Sequence, residues 1–341
     1  MQFDAIIGNP PYQVVSGVAG VHPQPLYHRF VEHALDLNPA HLVFLIPARW
    51  FTGGKRLDDF RDRMLADRSI AVIVDHPLPL DVFPDHQIDG GVVYFHRDAR
   101  HDGDCRFDTR VNGMVVASAT RDLRTHDLLV RDPRALPILV KAAPADLAHS
   151  LTPWVSPQHP YARLFTTNYL GSPAPFPGSV PMLRSSGVVH VDAVLVTRNH
   201  ANLSLFTVVI PKVYGAGKQV PDALGRIASM VTGAPVVLPP GIICNQSFLV
   251  AGAFATESEA VNYAGFLASK FARFLIAQRK SAPHLTPDRF RWVPRLDYTR
   301  PWTDATLYAR FGLTDDESNH IDASVKIRSI DISHLAAARA A

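Results

Sequence analysis

Apolar residues gather in short runs over the first hundred positions: Phe3 to Ile7, Leu42 to Ile46, Ile70 to Val74 and Gly91 to Phe95. The first three are close to continuous, the pattern expected of strands in a mostly parallel sheet covered on both faces. Between them the apolar positions change to helical spacing. Leu26, Phe30, Val31, Ala34 and Leu35 make one stripe after Pro23 and Pro25, and Leu57, Phe60, Met64 and Leu65 make another. Strand and helix therefore alternate, which predicts an α/β architecture. Its polar loops leave the carboxyl ends of the strands, where open α/β sheets carry their ligand-handling residues.

From about residue 106 the pattern becomes irregular β with many turn residues, including the proline-rich stretch Pro173 to Pro181. Val188 to Val196 and Leu205 to Ile210 read as strands, with Val236 to Leu238 and Phe248 to Val250 as shorter ones. Thr256 to Glu259 fits a capping box opening a helix that runs to about Gln278, with Phe266, Leu267, Phe271, Phe274 and Leu275 on its apolar side. A second box, Thr314 to Glu317, opens a final helix that reaches the frayed end Leu335 to Ala341. Three regions follow from this pattern: an α/β region over 1–105, a mixed α+β region over 106–300, and a helical tail over 301–341.

At 341 residues, 47% of them apolar and 19% charged, the chain has enough apolar content for packed cores and is unlike a disordered tail. No continuous apolar run reaches the roughly 18 residues of a membrane span. Asp4, Asn9, Pro10 and Pro11 interrupt the N-terminus before a secretory-type apolar region forms, and Cys105 and Cys244 are too few for a disulfide framework. A soluble protein of the reducing cytoplasm is expected. Charge adds a division that hydropathy does not show. The net charge is only +3, but residues 1–105 carry 9 Lys/Arg against 14 Asp/Glu, whereas 106–300 carry 21 against 11. A basic middle beside an acidic front suggests that the middle meets a polyanion. The densest basic block is Lys270 to Arg300.

The first predicted strand ends in Asn9-Pro10-Pro11-Tyr12. Each proline has a fixed φ and no N–H, so the turn holds its carbonyl rigidly without a competing donor. The Asn9 side-chain oxygen and the Pro10 carbonyl are two acceptors able to grip both hydrogens of one amine, and Tyr12 offers a ring on which a planar base can stack. Such a grip matters for an aromatic exocyclic amine. Its lone pair is delocalised into the ring, and pulling on both N–H bonds favours the tetrahedral geometry in which the nitrogen becomes nucleophilic. No nucleophilic side chain is needed, because orientation and electrostatics suffice once the reactants are aligned.

In this tetrad the chain resembles the gamma-class adenine-specific DNA methyltransferases of bacterial restriction–modification systems, especially their type IIG-like branch. Further blocks match in order: Leu26-Tyr27, Ile46 to Lys55, Asp81-Val82-Phe83-Pro84 before the strand Gly90 to Phe95, Pro211 to Gly217, Lys270 to Phe274, and Pro301 to Asp304. The resemblance covers residues 3 to about 330. It implies a partial Rossmann-like methyltransferase sheet followed by a mixed α+β target-recognition domain. It also implies Asn9, Pro10, Pro11 and Tyr12 as catalytic residues, Tyr12 and Phe83 as contacts to a flipped adenine, and S-adenosylmethionine as methyl donor. Double-stranded DNA would be held by Lys55, Lys212, Lys218, Lys270, Arg273, Arg279 and Lys280.

In that class a glycine-rich donor loop lies many residues ahead of the tetrad, whereas here only two residues precede Phe3. The donor-binding half is therefore expected from a separate subunit, encoded upstream, and without it the strand Phe3 to Ile7 should expose an edge and apolar faces. A permuted arrangement would have to use Gly215-Ala216-Gly217, the one Gly-x-Gly in this region, but Pro211-Lys212 interrupts the run before it. The alternative to an enzyme part is an inactive remnant or a sequence-specific DNA-binding module. His76, Asp81, Asp85, His86 and Asp89 share a loop but lack a recognised metal-ligand spacing, and read as a polar rim. No lysine has an acidic residue two positions ahead of it, so a common nuclease signature is missing.

Overall fold

The computed structural model describes residues 3–14, 24–54, 56–86, 88, 90–213, 231–280 and 284–340, which divide into two compact units, Met1–Leu136 and Pro137–Ala341. In the first unit the chain runs through β1 (Ala5–Gly8), β2 (Gln13–Val14), β3 (Gln24–Pro25), α1 (Tyr27–Asp36), β4 (His41–Pro47), α2 (Asp58–Ala66), β5 (Ile70–His76), β6 (Val92–Asp98), β7 (Cys105–Val111) and β8 (Met114–Arg121). All four strands read from apolar runs are present, and so are both helices. β2 and β3 form a small hairpin, while the other six strands make one sheet in the order β1-β4-β6-β5-β7-β8.

The sheet is mixed, which corrects the expectation of a mostly parallel one. β1 is parallel to β4 and β5 to β7, but β6 lies between β4 and β5 and is antiparallel to both. The cause is the connection ahead of β6. A parallel return needs a crossover across the sheet face, usually a helix. Residues 77–91 instead make a short 3-10 turn at Pro79–Asp81 and come back through Gly90 and Gly91, both at positive φ. Gly91 is also in close quarters: a Cβ there would sit 2.3 Å from the His76 carbonyl oxygen. Gly91→Ala should therefore destabilise the unit by about 2 kcal/mol or more, read as a lowered midpoint in urea unfolding, and an unchanged midpoint would contradict this account of the turn.

The core of this unit joins the sheet to α1, α2 and the 3-10 turn Ala48–Thr52. Tyr27, Val31, Trp50, Phe51, Phe60 and Met64 pack with Leu42, Ile46, Ile73, Phe95 and Phe107, all buried. β1 is the outermost strand, and among the described residues nothing pairs its other edge. Ile7 on this strand is 77% exposed. The position 105/106, where the sequence pattern put a boundary, lies within β7. Pairing of β7 with β5 and of β8 with β7 carries the sheet on to Arg121, and the compact unit ends at Leu136.

Helix α3 (Ala135–Ala142) leads from one unit into the next. The second unit contains β9 (Ser179–Arg184), β10 (Gly187–Asp192), β11 (Phe206–Pro211), β12 (Val236–Leu238), β13 (Ile243–Cys244), β14 (Phe248–Phe254), and helices α4 (Glu257–Ala268), α5 (Lys270–Gln278), α6 (Asp304–Arg310), α7 (Asp315–Ser324) and α8 (Ser333–Ala340). Two three-stranded sheets form, β10-β9-β13 and β12-β11-β14. Tyr161, Phe165, Met182, Val209, Leu238 and Ile243 are among the residues that pack between their strands.

Two helix expectations change. The helix opened by Thr256 breaks at Ser269, whose ψ of 153° is extended and whose hydroxyl accepts from the Ala272 N–H, so that α5 starts with its own cap. The Thr314–Glu317 capping box is formed, but α7 stops at Ser324 and α8 begins anew at Ser333. Nor is 301–341 a separate tail. Phe271 stacks on Phe311 at 4.9 Å and Phe274 meets His320 edge-on, so α5, α6 and α7 share one apolar contact. Among the described residues no helix is long and apolar enough to cross a membrane, and both cysteines are free and buried.

Candidate functional site

Asn9 to Tyr12 follow directly from the carboxyl end of β1, as the apolar run before them predicts. Asn9 is exposed, Pro10 is buried, Pro11 is exposed and Tyr12 is half-buried. Among the described residues neither the Asn9 side chain nor the Pro10 carbonyl has a hydrogen-bond partner. The chain cannot slide away from this position. The Tyr12 carbonyl accepts from the Leu26 N–H at 3.0 Å, and Tyr12 itself packs on the core beneath α1.

Phe83 sits in the loop between β5 and β6, and its ring meets that of Tyr12 edge-on, with centroids 6.3 Å apart and planes at 77°. Two aromatic residues that lie far apart in sequence thus stand side by side, one of them three positions after Asn9. Edge-to-face pairing is a favoured geometry for two aromatic rings, and both residues remain partly exposed. Burial pushes the Tyr12 phenol up to about 12, so the hydroxyl stays protonated at any working pH. That hydroxyl is also buried without a partner among the described residues. Tyr12→Phe should accordingly leave stability unchanged or raise it by up to about 1 kcal/mol, measured by thermal unfolding, because it removes an unsatisfied polar atom. A loss of several kcal/mol would show that the hydroxyl has a partner after all.

An ion pair between a fully buried carboxylate and a half-buried guanidinium bridges the two ends of the Phe83 loop. Asp75, fully buried near the end of β5, lies 2.8 Å from Arg131 Nε, and Arg131 Nη2 donates to the other Asp75 oxygen at 2.9 Å. The same Nη2 donates to the Gly90 carbonyl at 2.5 Å, so one guanidinium joins the strand before the loop to the turn after it. Burial raises the Asp75 carboxyl to about 6, although Arg131 and Arg121 oppose the rise. Inside the loop, Asp81 accepts from the Asn112 N–H at 2.6 Å, and the Phe83 N–H donates to the Pro79 carbonyl at 2.8 Å. Sequence reading missed Asp75 and Arg131. A single acidic residue ending the apolar run Ile70 to Val74 was the available signal, since a carboxylate there needs a cation.

The expected phosphate-binding cations divide sharply. Arg273 is 1% exposed and donates to the Thr232 carbonyl and hydroxyl and to the Lys326 carbonyl. Arg279 is 3% exposed, pairs with both Asp288 oxygens at 3.0 Å and lies over the Trp292 ring. Both are interior braces, which corrects their assignment to DNA. The helix shows why: Arg273 is flanked by Phe271, Ala272, Phe274, Leu275 and Ile276, an apolar surround that places the whole turn inside. Lys270 is held by Asp322 at 2.9 Å. Lys280 is half-buried, and burial with the nearby Arg273 and Arg289 charges brings its ammonium down to about 8. Lys212, at the end of β11, is half-buried with no ion pair among the described residues. Lys55, Lys218 and the glycines Gly215 and Gly217 lie outside the described residues, as does Asp89.

Comparison with known proteins matches residues 1–83 to the Eco57I restriction-modification methylase family. An uncharacterized adenine-specific methylase of Mycoplasma pneumoniae is 34% identical over 130 residues, which is 36% of this chain and 31% of that protein. The chain thus spans about a third of the curated relative it matches. Among solved structures, the type IIL restriction-modification enzyme MmeI in complex with DNA superposes on 84% of this chain and 45% of its own, at 9% identity and a TM-score of 0.43. The type IIG restriction endonuclease BpuSI covers 93% of this chain and 48% of its own, at 11% identity and a TM-score of 0.36. The matched stretch 1–83 contains the Asn9–Tyr12 loop and Phe83, so the similarity to restriction-modification methylases falls on the residues of this site.

Proposed function

We propose that this chain is the adenine-receiving and target-recognition portion of a site-specific DNA adenine methyltransferase of a restriction–modification system. The observation that carries the reading is the meeting of Tyr12 and Phe83, with centroids 6.3 Å apart, at the end of the loop that carries Asn9 and Pro10. An adenine extruded from the duplex stacks against the two rings, while the Asn9 oxygen and the Pro10 carbonyl accept the two hydrogens of its 6-amino group. The lone pair is then localised and aimed away from the ring. The rigid Pro10-Pro11 turn keeps the acceptors in place without reorganisation, which is the source of the rate gain.

S-adenosylmethionine supplies the methyl group in this chemistry. The described residues do not fit it: no glycine-rich turn follows an apolar strand next to Asn9, and Gly215 to Gly217 lie outside them. Among the described residues the outer edge of β1 is unpaired and Ile7 is exposed, so a donor-binding segment or subunit seated there would extend the sheet and cover that residue. The test uses the purified chain, alone and together with the product of the reading frame directly upstream. Each is incubated with radiolabelled S-adenosylmethionine and plasmid DNA. Label in adenine that requires both chains supports the reading, and label with the single chain places the donor site within it. No label under either condition, with DNA still bound, favours the sequence-specific DNA-binding module over the enzyme.

A further inference from the structure

In the second unit three cationic stretches that are scattered in sequence are pinned together by backbone contacts. The Thr197 and Arg198 N–H groups donate to the Tyr161 carbonyl at 2.9 and 3.0 Å, and Asn199 Nδ2 donates to the Pro160 carbonyl at 2.7 Å. Lys212 bonds through its N–H to the Ser247 carbonyl and through its carbonyl to the Leu285 N–H, and Val213 bridges to His284. Gln158 Nε2 donates to Gln246 Oε1 at 2.9 Å, which ties the first stretch to the segment beneath Lys212. The Arg163, Arg198 and Lys212 charges all act on the His159 ring, and Lys212 and Lys280 act on His284. Among the described residues no acidic group acts on either ring.

This arrangement is unusual on a protein surface. Several other arginines of this chain do find carboxylates, as Arg63 does with Asp36 and Arg68 with Asp102. Arg163, Arg198 and Lys212 have no ion-pair partner among the described residues, although mutual repulsion disfavours the cluster in the absence of an anion. The backbone turns at both stretches, with His159 at φ 60° and Asn199 at φ 50°, in the left-handed region where asparagine and histidine are enriched. His159 Nδ1 is buried and unpartnered among the described residues, a donor or acceptor left open within the cluster.

We propose that Arg163, Arg198, Lys212, His159 and His284 form a seat for consecutive phosphates of a DNA backbone, and that seating the DNA takes up protons on the two histidine rings. The proposal rests on the reading of DNA as substrate and deepens it by locating the phosphate contact and making it proton-linked. Burial first, and then the surrounding cations, hold both rings below the ordinary histidine range, so they are neutral near pH 7 in the free chain. A phosphate brings negative charge that favours imidazolium and raises both values on binding. The bound state then holds more protons than the free one, and affinity must rise as pH falls from about 8 toward about 6.

The test is fluorescence anisotropy with a labelled duplex of arbitrary sequence, over a salt series at pH 8 and pH 6. The natural chain is expected to bind about tenfold more tightly at pH 6. Lys212→Gln and Arg198→Gln should each lower the slope of log affinity against log salt by about 0.9, and Arg163→Gln, at an exposed side chain, should do the same without risk to folding. The chain carrying His159→Gln and His284→Gln should keep its salt slope at pH 8 and lose most of the pH effect. Unchanged salt slopes in all three cation variants, or an undiminished pH effect in the histidine variant, overturn this inference alone. Absence of any DNA binding by the natural chain overturns the DNA reading with it.

Discussion

Replacing Asn9 by alanine should reduce methyl transfer by the reconstituted enzyme by on the order of 10² to 10³, while DNA affinity stays within about twofold. The size follows from what is removed. Asn9 is exposed and makes no contact that supports the fold among the described residues, so the substitution takes away an acceptor and little else. Its effect should therefore fall on the turnover number and spare the substrate KM, because the amine is gripped hardest when its nitrogen becomes tetrahedral. Single-turnover transfer of label into adenine, measured beside anisotropy on the same duplex, separates the two. Equal turnover before and after the substitution would remove Asn9 from the chemistry and with it the central element of the proposed function.

The second large effect is on stability. Arg131→Met should cost about 3 to 5 kcal/mol in urea unfolding at pH 8, because it strands the Asp75 carboxylate in a fully buried site. The pH dependence follows from the direction of the shift. Asp75 in the folded chain titrates at about 6, above its ordinary 3.8, so between those values the folded state holds a proton that the unfolded chain releases. Stability contributed by this group therefore falls as pH rises from about 4 to about 6 and then levels off. Without Arg131 the folded value moves higher still, and the decline should extend past pH 7. The double change Asp75→Asn with Arg131→Met should recover much of the loss, since it removes the uncompensated charge itself. A single variant as stable as the natural chain would show that the pair does not clamp the Phe83 loop.

The two effects act on one small region from opposite sides. Asn9 belongs to the loop that leaves β1, and Asp75 with Arg131 secures the loop that leaves β5 and carries Phe83. Both strands end at the same side of the sheet, as the placement of the site on strand carboxyl ends requires. β4 and β6 separate them in the sheet, so the meeting of Tyr12 and Phe83 depends on both loops reaching over that gap. This explains why a salt bridge with no contact to Asn9 is worth conserving in any engineered variant of the chain.

Much of the first unit was legible in the sequence. Apolar runs located β1, β4, β5 and β6 to within a few residues, and helical spacing located α1 and α2, because period and burial are properties of consecutive positions. The Asn-Pro-Pro-Tyr tetrad was legible for the same reason, since its chemistry is carried by neighbouring residues and a rigid turn. Less visible were β7 and β8, whose faces are half-exposed and whose sequence Cys105 to Arg121 mixes charge with short side chains. The α4–α5 break at Ser269 also escaped notice, because serine is tolerated within helices as well as at their caps.

What the sequence by itself determined, then, was the element pattern of the first unit and the residue types able to grip an amine and stack a base. Only the tertiary structure decided that the sheet is mixed, that Tyr12 stands beside Phe83, and that Arg131 reaches across 56 positions to Asp75. It likewise decided which cations are structural: Arg273 and Arg279, in the densest basic block, are interior, while Arg163, Arg198 and Lys212, single charges in unremarkable stretches, gather without carboxylate partners among the described residues. The physical reason is common to all of these. Periodicity and local motifs are set by neighbours along the chain, whereas strand direction, ring contacts and the burial of a charge depend on which distant segments the whole fold brings together.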